Sequence, residues 1–598
     1  MLQVLPMLKA PPLILLCALS LVWVHASAQA QSGDEADRPN ILLVLADDLG
    51  FSDLGAYGGE ISTPTLDRLA EQGMRFTNYH TAANCAPARA MLLTGVDAHL
   101  AGVPNIPEML APEQMRHDHY QGVLGHNVVT VASLLENVGF NTYMAGKWHL
   151  GTGPGKLPSA RGFMRTVALA DSGADNWEQK PYLPIYDKAN WYADGEPYDL
   201  PEDFYSSRFL VDKTIEFIDS NLNDDKPFFA YLPFQAVHIP VQAPQEFIDR
   251  YMGVYDSGWD VLRQQRLERA SALGIVPEQT AMVTMSTTAD WSALNDEQQR
   301  YEAKRMAVYA AMVEAMDFHL GRLLEYLEQQ GKLENTLVVF TSDNGAEASG
   351  PPRQNAPINQ LLLARMDYNT NYETLGLKGS YNTISPSFAS AAASPLAYYK
   401  FYAGEGGMRV PLIVTGPGVV AGEIDRAFTF VTDITPTLLS YAGVAAPGRR
   451  FAGRTIEPMS GRSLMPLLTG AADRVYGPED AVGYELAGHA ALFQGDYKLV
   501  RNRPPVGDGV WRMFNLLDDP GETEDLSQRE AARFEAMKQA YADYATENKV
   551  LAPPAGYTHT GQLIINTLHG RLRESIVVLL LLALLLVPTL MVHRRYRA

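Results

Sequence analysis

The sequence predicts an α/β fold: a large mixed, mainly parallel sheet sandwiched by helices, a smaller C-terminal α+β subdomain, and a C-terminal transmembrane helix. Three observations carry this expectation. Short apolar runs alternate with amphipathic helical patterns, as βαβ units require. Two of those runs end directly in polar pairs, Asp47-Asp48 and Asp343-Asn344. Near Gly443 the pattern gives way to Pro, Gly and Arg, and then to shorter strands.

In chain order, residues 1–30 read as a secretory signal peptide. Lys9 is the only early charge, an apolar run follows, and Ala26-Ser27-Ala28-Gln29-Ala30 supplies the small residues of a cleavage site. Residues 38–443 form the main α/β domain. Residues 41–46 read as a buried strand. Residues 64–73 read as a helix with Pro64 near its start and Gly73 after its end. Helical patterns follow at 129–139, 204–221 and 300–330, with strands at 142–145, 228–232, 336–341 and 410–414. Residues 444–550 form the subdomain, with strands at 497–500 and 511–514 and a closing helix at 529–548.

Residues 551–574 read as a linker into residues 575–592, which carry no charge. Such a run is near the lower end of what spans a hydrocarbon core of ~30 Å. The tail at 593–598 holds His593, Arg594, Arg595 and Arg597. Basic residues stay on the cytoplasmic side, so the expectation is an exported, membrane-anchored protein with its main domain periplasmic or extracellular.

The formal net charge is -20. A protein that neutralises phosphates needs a basic surface, so general nucleic-acid binding is excluded. Of two cysteines, Cys17 lies in the leader, which leaves Cys85 without an internal disulfide partner.

In open α/β sheets ligands bind where strands finish. Asp47, Asp48, Asp343 and Asn344 offer only oxygen ligands there, which favours a hard divalent cation over zinc. Cys85 precedes Pro87, a residue suited to the first helical position. Residue 85 is thus expected near a helix N-terminus, where free N–H groups favour an anion. Arg89, four residues on, shares its face. Lys147 and His149 alternate to one side after a strand and could stabilise negative charge and move a proton. Read alone, Lys-x-His is unremarkable, His238 between apolar neighbours is more often structural, and Lys400 is an ordinary loop lysine.

Together these segments resemble the sulfatase family, looking closest to its bacterial arylsulfatase branch. Cys85-Ala86-Pro87-Ala88-Arg89 matches the family's C-x-P-x-R hallmark. Asp47-Asp48-Leu49-Gly50, Gly146-Lys147-Trp148-His149-Leu150-Gly151, Ser342-Asp343-Asn344-Gly345 and Glu405-Gly406-Gly407 match further landmarks in order. The resemblance covers about residues 39–550.

It implies that a separate maturation enzyme oxidises Cys85 to formylglycine. One oxygen of the aldehyde hydrate would attack sulfur and displace the alcohol, and the second hydroxyl would then lose its proton so that sulfate is expelled as the aldehyde reforms. It further implies that Asp47, Asp48, Asp343 and Asn344, with residue 85, hold one Ca²⁺, Mg²⁺ being the alternative. Arg89 and Lys147 would position and help ionise the diol, and His149 would take the hemiacetal proton. His238 and Lys400 would hold the sulfate and assist the leaving oxygen, with Lys378 competing for the place of Lys400. The implied substrate is a small-molecule sulfate monoester. The competing reading is a phosphonate monoester or phosphodiester hydrolase on the same site. Loops at 177–191, 253–288 and 354–395 are expected to shape the leaving-group pocket.

Overall fold

The computed structural model describes residues 38–348 and 357–569. The expected leader, membrane helix and basic tail lie outside the described residues. Among the described residues no helix is long and apolar enough to cross a membrane.

Ten strands form one mixed sheet. Its centre runs Thr336–Ser342, Asn40–Ala46, Phe228–Pro233, Asn141–Lys147 and Arg165–Leu169, all mutually parallel. Leu412–Thr415 pairs antiparallel beside Thr336–Ser342, which makes the sheet mixed. The central strand is buried on both faces, as a parallel strand covered by helices must be. Leu42 and Val44 pack into the core under the helix Asp296–Gln329, while Ile41, Leu43 and Leu45 pack on the side of the helix Cys85–Thr94.

The subdomain is a four-stranded antiparallel sheet, from Ala481–Leu486 to Arg512–Asn515, carrying the helix Ala531–Glu547. It is keyed into the main domain by buried polar contacts. Lys498 Nζ reaches Glu405 Oε1 at 2.7 Å, and Ala83 N donates to Tyr484 Oη at 2.7 Å.

One local expectation is corrected. The helix behind Cys85 begins at Cys85 itself, capped by Asn84, whose side chain accepts from Cys85 N at 2.8 Å. Pro87 is therefore third in the helix, still within the first turn, where N–H groups have no intrahelical partner. Within the expected 551–574 linker, residues 559–569 are helical.

Candidate active site

The two polar pairs meet because their strands are adjacent and parallel, with Ala46 opposite Ser342. Asp48 N donates to Asp343 Oδ1 at 3.2 Å, and Asn344 Nδ2 donates to Asp48 Oδ1 at 2.7 Å. Asp48 holds a left-handed backbone (φ 65°), a conformation that Asp tolerates better than most residues and that turns the chain away from the strand. Gly345 follows the second pair because a Cβ there would lie 1.9 Å from Gly406 O. The Glu405-Gly406-Gly407 landmark thus packs directly behind the acidic loop.

Cations surround these carboxylates. Arg89, a turn beyond Cys85, places Nη2 2.7 Å from Asp343 Oδ2 and donates through Nη1 to Lys147 O at 2.7 Å. Lys147 Nζ lies 2.6 Å from Asp47 Oδ2. Lys400 Nζ lies 2.8 Å from Asp48 Oδ1 and 2.7 Å from Glu347 Oε2. Burial opposes the charge of Lys400, yet Asp48 and the other neighbouring acids hold it well above the ordinary lysine range. His238 Nδ1 is fixed by Ile239 O at 2.7 Å, which turns Nε2 toward Glu347 at 3.4 Å and Asp48 at 3.7 Å. Lys378 is elsewhere, more than half exposed and paired with Glu178 at 3.3 Å.

Cys85 lies inside this ring. Single ligand atoms of Asp47, Cys85 and His238 all fall within 4.8 Å of one another, as do those of Asp47, Asp48 and Asp343. Burial pushes the Cys85 thiol up to about 12, so as a thiol it stays protonated at neutral pH. Burial also pushes Asp47 up to about 8, against the pull of Lys147, because Asp343 and Asp48 crowd it. Asp47 Oδ1 and Asn344 Oδ1 are buried and accept no hydrogen bond among the described residues. Crowded carboxylates with unused oxygens, all hard donors, fit a divalent cation such as Ca²⁺ or Mg²⁺.

His149 also takes a left-handed backbone (φ 55°). Both of its ring nitrogens are buried without a hydrogen-bond partner among the described residues. Burial pushes it down to about 4, so the imidazole is neutral and able to accept a proton. Glu108 Oε2 stands 3.7 Å from His149 Nε2, too far for a hydrogen bond but close enough to favour its charged form. Glu108 is itself held by Tyr186.

Sequence reasoning missed Glu108 and Glu347. Glu347 carried a weak signal, four residues after Asp343 in the same loop. Glu108 carried none, since it reaches His149 only through the fold of the loop that holds it.

Cys85, His149, His238, Glu347 and Lys400 line one cavity of about 1130 Å³. All three loops expected to shape it contribute, among them Tyr182, Leu183 and Tyr186, Thr287, and Leu363 and Tyr381.

This constellation on this sheet is that of a hydrolase acting on a charged ester, and the comparisons with known proteins give the family. The sulfatase family model matches residues 39–444. The chain is 37% identical to an arylsulfatase of Klebsiella aerogenes over 451 residues, covering 75% of this chain and 95% of that one. It is 35% identical to an uncharacterized sulfatase of Schizosaccharomyces pombe over 535 residues, covering 87% of this chain and 96% of that one. The crystal structure of Ps i-CgsB in complex with k-i-k-neocarrahexaose superposes with a TM-score of 0.61 at 22% identity, covering 89% of this chain and 98% of that one. The chain belongs to the sulfatase family and is a sulfatase, an enzyme that hydrolyses sulfate esters.

Proposed function

We propose that the protein is an arylsulfatase-type sulfuric ester hydrolase that uses formylglycine made from Cys85 and one Ca²⁺, with Mg²⁺ as the alternative ion. The observation that carries this reading is the position of Cys85. It is the first residue of a helix, buried, and within 4.8 Å of ligand atoms of Asp47 and His238. Asp47, Asp48, Asp343 and Asn344 would hold the cation together with residue 85. When bound, the ion supplies Lewis acidity toward a sulfate oxygen, and the aldehyde hydrate at residue 85 supplies the nucleophile.

The chain's own groups do the rest. The free N–H groups of the first helical turn and Arg89 favour negative charge at residue 85. Lys147 and Lys400 are fixed by buried carboxylates, so their charge is already oriented when charge develops on the substrate. His149, neutral and with both ring nitrogens free of hydrogen bonds among the described residues, takes a proton from residue 85. His238, its Nδ1 held by the Ile239 carbonyl, lines the cavity beside Lys400 with Nε2 available to serve the leaving oxygen, which acquires its proton there.

A maturation enzyme acts transiently on Cys85, and residues 575–592 anchor the exported protein to the membrane. The test is turnover of 4-nitrophenyl sulfate against a matched phosphodiester by matured protein. Preference for the sulfate supports the reading, and preference for the phosphodiester overturns it.

A further inference from the structure

The helix at residues 559–569 belongs to neither the main sheet nor the subdomain, yet it forms a wall of the cavity. It is fastened to the loop that bears Glu108. Asn566 Nδ2 donates to Glu108 O at 2.9 Å and Leu110 O at 3.0 Å, and Tyr557 Oη, just before the helix, donates to Met109 O at 2.8 Å. The His559 ring packs on Phe401 with centroids 5.1 Å apart. Fastened this way, the helix presents Leu563 and Ile564 to the cavity. The helix Pro357–Arg365 presents Leu362 and Leu363 to the same space.

The cavity has a charged floor and a mouth with aliphatic walls. Cys85, His238 and Lys400 are 1%, 3% and 2% exposed, whereas Leu362 and Ile564, lining the same space, are 50% and 54% exposed. Cys85, His238 and Lys400 are therefore deep, and the mouth carries these aliphatic walls beside the exposed Asp187, Arg365 and Asp367. Five of the fourteen large apolar side chains exposed among the described residues lie on these two helices, Leu361, Leu362, Ile564, Ile565 and Leu568, and of these Leu362 and Ile564 line the cavity. Apolar side chains clustered at the mouth of a cavity mark a binding surface more often than scattered ones do. The volume of about 1130 Å³ exceeds the upper end of pockets for drug-sized ligands, about 1,000 Å³. A sulfate and one ring leave most of it unfilled.

We propose that the cavity takes amphiphilic sulfate esters, whose leaving phenol or alcohol carries a long or multi-ring apolar body, and that helix 559–569 is the wall that selects it. This rests on the sulfatase reading above and narrows its substrate. The sulfate sits at the cationic end, and the apolar body lies between Leu362 and Ile564, with the exposed rim extending the contact outward.

The test is a series of 4-alkylphenyl sulfates from ethyl to octyl, assayed on the full, matured chain below the concentration at which the esters aggregate. Leaving-group acidity is constant across the series, so chain length reports on the walls alone. KM falls with each added methylene, by up to roughly fourfold, while kcat changes little. The slope flattens in Ile564→Asp and in Leu362→Asp, and it persists in Ile564→Met. These are exposed positions, and melting temperature checks that each variant folds. A KM independent of chain length, with the ethyl ester turned over, overturns the proposal and leaves the sulfatase reading intact. So does an unchanged slope in both Asp variants. Absence of turnover on every ester, with residue 85 converted, overturns the reading and the proposal with it.

Discussion

Lys400 Nζ lies 2.8 Å from Asp48 Oδ1, a buried ion pair between residues 352 positions apart. It joins the loop before Glu405 to the end of the central strand. The same nitrogen binds Glu347. Removing the lysine therefore withdraws a cation from the cavity and leaves two buried carboxylates unmatched. Lys400→Met is expected to lower kcat by about 10²–10³-fold and to destabilise the fold by roughly 3–5 kcal/mol. Lys378→Met, at an exposed surface pair, is expected to stay within twofold of wild type. Steady-state kinetics and denaturant midpoints on the two variants check both statements.

His149 is the proposed proton acceptor, and Glu108 tunes it. His149→Ala is expected to lower kcat by about 10²–10⁴-fold. Burial keeps the His149 pKa near 4, and Glu108 pulls it upward. Activity that needs neutral His149 thus falls only as pH drops through that value. In Glu108→Gln the upward pull is gone, so the acid limb of the kcat profile moves to lower pH. A profile on stopped enzyme aliquots, corrected for unfolding, reads the shift.

Asp47, Asp48 and Asp343 repel one another unless a cation lies among them. Chelation is expected to abolish turnover and lower the melting temperature, and Ca²⁺ is expected to restore both. Calorimetry with and without chelator measures this. An unchanged melting temperature would mean that Lys147, Arg89 and Lys400 balance the acids by themselves.

His99 ties the main domain to the subdomain, with Nδ1 3.1 Å from Asp97 and Nε2 2.9 Å from Glu485. Burial lowers its pKa, but the hydrogen bonds of Asp97 and Glu485 outweigh this and raise it to about 9 from an ordinary 6.5. The folded value lies above the unfolded one. The stabilisation is therefore complete below about pH 6.5 and is lost as pH rises through about 9. Its size is on the order of 3 kcal/mol. Stability curves from pH 6 to 10 should fall for wild type and flatten in His99→Gln.

Lys498, fully buried in the subdomain, binds Glu405 at 2.7 Å and Glu522 at 3.0 Å, and Glu405 also binds His80 at 2.9 Å. Glu405 thus acts through packing two domains together. Lys498→Met is expected to cost roughly 3–5 kcal/mol, read as a lower urea midpoint.

The core of the site was legible because its parts are short and local. Cys85 and Arg89 are one helical turn apart, and each acidic pair ends a strand. A parallel sheet then brings strand ends together wherever they fall in the sequence. The parallel strands were legible from unbroken apolar runs such as Ile41 to Ala46. Glu108 was not, because nothing in its neighbourhood encodes a partner 41 residues away. The helix at 559–569 was hidden by Pro553, Pro554 and Gly556, which read as linker. Its contacts to the loop that bears Glu108 reveal that it walls the cavity.

The account stands on the chemical state of residue 85. Mass spectrometry of the peptide that contains it, taken from a preparation active on 4-nitrophenyl sulfate, is the most direct measurement. The expected mass is that of the aldehyde or its hydrate, in proportion to specific activity. An active preparation in which that peptide carries only the thiol contradicts the account.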